Sequence, residues 1–260
     1  MFMTKFYLLS VLLSLALAWF IPILILKIVF SWTALSLMIV SFAYIFDTPS
    51  IFRKNNDGKI IWWVRWAFIP FLLGIRAYNI WAIKKDDVPP IQKITDHLFL
   101  SRRLLPSDLD YLKSQKIECI VDVTAEFSGL ESAMTDKHFD YLTIPVLDHK
   151  TPSLRKLRHA LYWIDTQVSQ SRSVVIHCAL GRGRSVFVMA AYLLSKDPTL
   201  TVDQALKNIN TIRSSAKLNN KQYKILSAIS NQKQLQLPDP TWMIVNPVSG
   251  EENGNNTNSN

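Results

Sequence analysis

An α/β domain behind an N-terminal α-helical transmembrane hairpin is the fold class this 260-residue sequence predicts, and three features predict it. Residues 6–26 and 28–46 contain no charged side chain, and Lys27 alone separates them. From about residue 94 short apolar runs alternate with amphipathic segments. One β-branched run, at 173–178, passes through a glycine-containing loop into a helical pattern.

The composition sets the outer limits. Hydrophobic residues make up 49% and charged residues 19%, too apolar for a largely disordered chain. Two cysteines cannot build a disulfide scaffold, which suits a reducing compartment. No Cys/His cluster has zinc-site spacing, so no metal and no cofactor are expected. The net charge of +9 suits nucleic acid or anionic lipid equally. The distribution of apolar residues selects membrane lipid over nucleic acid.

Residues 1–50 are read as the hairpin, with spans at about 6–26 and 29–46 and a tight turn near 27–32. A cleaved signal peptide is the competing reading, since Ala16-Leu17-Ala18 resembles a cleavage site. Arg53, Lys54, Lys59, Arg65, Arg76, Lys84 and Lys85 follow the second span, whereas the connector offers only Lys27. The positive-inside rule therefore makes this a multi-pass protein of the cell membrane, with the N-terminus and everything after Phe46 cytoplasmic. Residues 51–93 form a basic, Trp-rich segment. Its stretch 60–83 mixes Trp62, Trp63, Trp66 and Trp81 with Arg65 and Arg76, as in a helix lying among lipid headgroups; a third span is the alternative.

Residues 94–235 are read as the soluble domain. Strands are expected at 97–100, 117–123, 139–146 and 173–178, with a helix at 106–113. Leu154, Leu157, Leu161, Ile164 and Val168 recur at helical spacing, with Thr151 as N-cap and Pro152 in the first turn. Thr201 and Gln204 form a capping box for the next helix, and a last helix covers 221–233. The ligand of such a sheet belongs at the carboxyl ends of its strands. Residues 236–260 are a linker and a polar, asparagine-rich tail expected to be disordered.

The informative stretch is His177-Cys178-Ala179-Leu180-Gly181-Arg182-Gly183-Arg184-Ser185. Five residues between cysteine and arginine suffice to wrap a loop around one phosphate, with backbone N–H groups inward and a helix N-terminus behind them. The Arg184 fork suits two phosphate oxygens, and the positive field favours a thiolate at Cys178. Cysteine and arginine alone are a weak signal. His177, Gly181, Gly183, Ser185 and the strand–loop–helix context make the signal specific.

His-Cys-x5-Arg-Ser resembles the signature of cysteine-dependent phosphatases, and over residues 94–232 the chain is similar to their compact dual-specificity group. The resemblance implies that group's sheet flanked by helices and a metal-independent, two-step hydrolysis of phosphomonoesters. Cys178 would be the nucleophile forming a phosphocysteine, and Arg184 would bind phosphate and transition state. Ser185 would assist departure of the thiolate, and His177 would hold the loop and help set the thiolate's acidity. The loop residues Ala179, Leu180, Gly181, Arg182 and Gly183 would contact substrate. Asp148, some 30 residues before the cysteine and after a strand, stands where the family takes its general acid. A solvated or helix-capping carboxylate is its alternative, and His149 is the less favoured acid. Glu126 and Phe127 resemble the acidic-aromatic loop near the pocket of phosphatidylglycerophosphate phosphatases, with Arg182 matching that group as well. Ala179 and Leu180 depart from the lysines or polar residues of polyphosphoinositide phosphatases.

The bland expectations are these. Cys119 is a buried thiol, with a protective disulfide to Cys178 as the alternative. Asp122 is structural, Asp165 lies on an outer helix face, and Gln222 serves helix packing unless it orients water. Residues 242–250 resemble the opening strand and turn of diacylglycerol-kinase-like proteins, with no kinase activity expected of so short a stub. Phosphoprotein and phospholipid substrates stay open. A catalytically inactive phosphate-binding module is the alternative to an enzyme, and sulfur or arsenate chemistry is disfavoured by His177 and the place of Asp148.

Overall fold

The computed structural model describes residues 2–130 and 138–237. Helix α1 (Phe2–Phe20) and helix α2 (Leu24–Phe46) pack antiparallel. Both are long and apolar enough to cross a bilayer, and they are the two such helices among the described residues. The chain reverses at Ile21-Pro22-Ile23 rather than near 27–32, leaving Lys27 inside the first turn of α2. Proline supplies the reason: it lacks an N–H and keeps the residue before it out of the helical region, so the helix stops before Pro22. Most apolar side chains of the pair face outward; Leu9, Trp19, Phe20 and Ile25 are exposed.

The Trp-rich segment is two helices, α3 (Trp62–Ala67) and α4 (Ile69–Lys84). They break at Phe68, where Pro70 in the first turn of α4 has no N–H to continue the ladder. At 16 residues α4 is about 24 Å long, short of a bilayer core. Trp32 Nε1 of α2 donates to the carbonyl of Ala67 at 3.0 Å. One buried cluster joins Tyr7, Val40, Ala43 and Tyr44 of the hairpin to Phe52, Val64, Phe68 and Phe71, and includes Ala125 and Leu147 of the α/β domain. The segment is therefore packed between hairpin and domain. Lys54 does not face lipid headgroups: its ammonium is buried on Asp122 at 2.7 Å and on the Thr124 carbonyl at 2.8 Å.

The domain is a five-stranded mixed sheet of order β1-β2-β5-β3-β4. The strands are β1 (Ile91–Thr95), β2 (Leu98–Ser101), β3 (Ile117–Asp122), β4 (Asp140–Thr143) and β5 (Ser173–His177). β1 pairs antiparallel with β2 and all other pairs are parallel. β1 was not expected as a strand: Gln92 and Lys93 break the apolar run, as an edge strand allows. β4 is shorter than residues 139–146, because the chain beyond Thr143 leaves the sheet to carry a loop. Central β5 is buried on both faces.

Helices α6 (Leu154–Ser169), α7 (Arg184–Lys196), α8 (Val202–Ile212) and α9 (Asn220–Asn231) build the core on one face with Val121, Val174 and Ile176. A 3-10 turn (Pro106–Asp108) and α5 (Leu109–Ser114) lead to the smaller cluster on the other face, with Phe99, Ile120 and Val175. Ser153, not Thr151, caps α6: its hydroxyl accepts from the Lys156 N–H at 3.4 Å, and Thr151-Pro152 precedes the cap. The Thr201/Gln204 capping box of α8 forms as expected, and Asn219 with Gln222 makes another on α9. The expected disordered tail and kinase-like stretch at 242–250 lie outside the described residues.

Candidate active site

The segments that follow the carboxyl ends of β3, β4 and β5 converge on one cavity of about 680 Å³. Residues 178–183 link β5 to α7, and the loop's carbonyls are tied outward. Ala179 O accepts from Asn79 Nδ2 at 3.0 Å and from Arg103 N at 3.1 Å. Leu180 O and Gly181 O accept from Arg213 Nη2 and Nε at 3.2 and 2.8 Å, and Arg182 O from Lys217 N at 2.8 Å. Fixing carbonyls outside turns the amides toward the interior, where they make a concave anion site at the head of α7. Gly181 has φ +67°, and a Cβ there would stand 2.6 Å from Ser101 O, so only glycine fits.

Cys178 Sγ sits within this loop, accepting from Gly181 N and from Ser185 Oγ, each at 3.3 Å. Arg184 is buried. Its Nη1 and Nη2 donate to both oxygens of Glu126 at 2.9 and 2.7 Å, Nη1 also donates to Val146 O at 2.8 Å, and Nη2 lies 3.3 Å from Asp148 Oδ1. Burial opposes the guanidinium's charge, but Glu126 and Asp148 outweigh it and keep Arg184 charged. Arg184 Nε is buried without a hydrogen-bond partner and is the donor left over for a ligand.

Asp148 is partly exposed at the cavity, with His149 Nε2 3.5 Å from its Oδ2. Its loop is held from α9: Asn219 Nδ2 donates to His149 O and Gln222 Nε2 to Lys150 O, each at 3.0 Å. Gln222 thus caps a helix and braces this loop. Lys150 also meets Asp47 at the end of α2, at 3.5 Å.

His177 lies beneath the loop with its Nε2 3.9 Å from Asp122 Oδ2, too long for a hydrogen bond. Burial lowers its pKa, more than the Asp122 carboxylate can offset, so the ring is neutral at pH 7. Burial likewise opposes charge on Asp122, yet the Lys54 ammonium and the Thr124 donors hold that carboxyl well below the usual range. Asp122 is structural, as expected. Asp165 on α6 accepts from Tyr192 Oη at 3.0 Å and pairs with Lys196 at 2.8 Å. Both cysteines are free thiols, so the alternative of a protective disulfide is not realised, and burial pushes Cys119 up to about 12.

Of the expected substrate contacts, Ala179, Leu180, Arg182, Gly183, Glu126 and Phe127 line the cavity. Gly181 instead faces Ser101 and Arg213, and Glu126 is engaged with Arg184. Arg182 is paired with Asp86 at 3.1 Å, and Phe127 lies under Arg103 at 4.7 Å. Arg213 and Asn79, which hold the loop, escaped the sequence reading. Arg213 has no local signal, since a cation after a helix is ordinary. Asn79 was detectable as an amide inside an apolar helix, where it needs a partner.

The dual specificity phosphatase catalytic domain family matches residues 98–232. Dual specificity protein phosphatase 12 of Rattus norvegicus is 31% identical over 131 residues, covering 47% of this chain and 36% of the relative. Dual specificity protein phosphatase 1 of Arabidopsis thaliana is 31% identical over 131 residues, covering 50% of this chain and 63% of the relative. The chain therefore spans less than two thirds of the length of these relatives. Among solved structures, Tk-PTP in its active form superposes with a TM-score of 0.51 at 25% identity, over 55% of this chain and 98% of that one. PTPMT1 in complex with PI(5)P, at 18% identity and TM-score 0.51, shares the fold over 55% of this chain and 96% of its own. With half its length matched by that family, and the family's sheet and phosphate loop in place, the chain belongs to the dual specificity phosphatases.

Proposed function

We propose that this protein is a membrane-anchored, metal-independent phosphatase that hydrolyses phosphomonoesters through a phosphocysteine intermediate. The observation that carries the reading is the Cys178 sulfur inside an amide-lined loop, 3.3 Å from two donors, with Arg184 lining the same cavity and its Nε left without a protein partner. A binding module needs no nucleophile there.

Cys178 Sγ attacks phosphorus and the ester oxygen departs, taking its proton from Asp148. The loop amides and Arg184 hold the equatorial oxygens, and the bidentate Glu126 contact fixes the plane of the guanidinium. Water then attacks the phosphocysteine with Asp148 as base, and the Ser185 hydroxyl stabilises the leaving thiolate. His177, neutral and buried, positions the end of β5 rather than donating charge. The substrate is the phosphoryl group of a protein or a lipid.

Three experiments test this reading. The purified protein is expected to hydrolyse an aryl phosphate with chelator present. Asp148→Ala should lose about 10²- to 10⁴-fold on alkyl phosphates, whose leaving oxygen needs a proton, and far less on a nitrophenyl ester. Equal losses on both would assign the acid elsewhere. The anchor is read as a cytoplasm-facing hairpin because basic residues follow α2. A reporter fused after Val146 should be cytoplasmic, and a periplasmic signal would refute that orientation.

A further inference from the structure

The cavity at Cys178 is lined by two unlike sets of residues. The set from the α/β domain carries the charged and polar groups, among them Glu126, Asp148 and Arg184. The set from the segments before it is a mainly apolar and aromatic wall: Met3 and Tyr7 of α1, Tyr44 of α2, and Phe71, Ile75 and Tyr78 of α4. Tyr7 packs on Tyr44 and Phe71 at ring separations of 5.2 and 5.7 Å, so the wall is a single packed unit. Tyr7 and Tyr44 line the same cavity as Asp148, Glu126 and Arg184. The helices that would enter the bilayer are therefore also a side of the reaction chamber.

Resting on the phosphatase reading above, we infer that Tyr7, Tyr44, Phe71 and Ile75 position the substrate, and that this substrate is a glycerolipid ending in a phosphomonoester, admitted along the anchor wall. A cavity of about 680 Å³ greatly exceeds one phosphoryl group and leaves room for the body of a substrate as well as its head. Two observations favour lipid over phosphopeptide as that body. The wall runs into outward-facing apolar surface: Tyr78 lines the cavity yet is 58% exposed, and Phe6, Phe42, Phe46 and Trp81 lie exposed on the same helices. An acyl chain can follow that surface without crossing water. A peptide backbone, by contrast, needs donors and acceptors along its length, and Met3, Phe71 and Ile75 of the wall offer none.

The test uses the full chain in mixed micelles with phosphatidate and phosphatidylglycerophosphate, each as dioleoyl and dibutyryl forms, beside an aryl phosphate and a phosphotyrosine peptide. For at least one headgroup, kcat/KM of the dioleoyl form should exceed the dibutyryl form by about tenfold or more, the worth of two buried methylenes. Phe71→Ser should raise KM for the dioleoyl lipid about fivefold with kcat nearly kept, collapsing the chain-length ratio toward one. Ile75→Asn, at a partly buried and less packed position, should do the same if Phe71→Ser fails to fold. A wild-type ratio near one for both headgroups overturns the inference. So does a ratio unmoved in the folded variants, or a peptide turned over faster than either lipid. In each of those cases hydrolysis of the aryl phosphate leaves the phosphatase reading standing. No turnover of any ester, aryl phosphate included, sinks both.

Discussion

Cys178→Ser should lower kcat on an aryl phosphate by about 10⁵-fold or more, as loss of a covalent nucleophile does when the rest of the site survives. The geometry explains why the hydroxyl cannot substitute. The groups touching Sγ are both donors, Gly181 N–H and Ser185 Oγ–H, so they stabilise an anion already formed but offer no base to make an alkoxide. The loop itself is held from outside by Asn79, Arg103, Arg213 and Lys217, none of which depends on the sulfur. Binding of tungstate should therefore persist in Cys178→Ser, measured by calorimetry beside the kinetics. A variant within tenfold of the parent rate would remove the phosphocysteine step. Loss of both rate and tungstate binding would show instead that the cradle had collapsed.

Lys54→Met should destabilise the fold by about 3–5 kcal/mol, the usual cost of removing one partner of a buried ion pair. Lys54 and Asp122 have side chains 0% and 1% exposed, and the carboxylate also accepts from Thr124 Oγ1 at 2.7 Å and Tyr141 Oη at 2.8 Å. With the ammonium gone, Asp122 is left charged in the dark of the domain. Denaturant titration of the purified protein measures this, and Lys54→Met with Asp122→Asn should recover more than half of the loss, since the amide keeps its neutral partners. A loss below about 1 kcal/mol would mean that water reaches the carboxylate. The parent protein should show the linked pH effect. Because the folded pKa of Asp122 is depressed, its contribution is complete above the unfolded carboxylate value of about 4 and fades as pH falls below it.

The same ion pair shows where reading a sequence runs out. Lys54 stands in a basic run after an apolar span, and its local context marks it as a topology signal facing headgroups. Its partner is 68 residues away, on a strand that charge patterns alone cannot pair with it. The turn of the hairpin lies at Pro22 and not at Lys27 for a different reason: a proline ends a helix whatever its neighbours, whereas a single lysine is carried within the first turn of α2. The loop from Cys178 to Ser185 was legible because all its chemistry is contiguous: strand, amides, cation and helix start within thirteen residues. Asp148 is marked only through the family resemblance, which points to the loop after a strand, and the structure places it at the cavity. Arg213 and Asn79 were not found, because they act on loop carbonyls 32 to 100 residues distant.

The amino-acid order by itself determined that this protein is an α/β domain behind two long apolar helices and which cysteine and arginine share a phosphate loop. Those are local properties: hydrophobic period, backbone freedom at glycine and proline, and side chains a few bonds apart. Only the tertiary structure decided that Glu126 grips Arg184, that Lys54 is buried on Asp122, and that Tyr7, Tyr44 and Phe71 wall the cavity. Those contacts arise when apolar surfaces far apart in the chain are buried together. Many pairings satisfy the same pattern of hydrophobic residues, and close packing in three dimensions selects one of them.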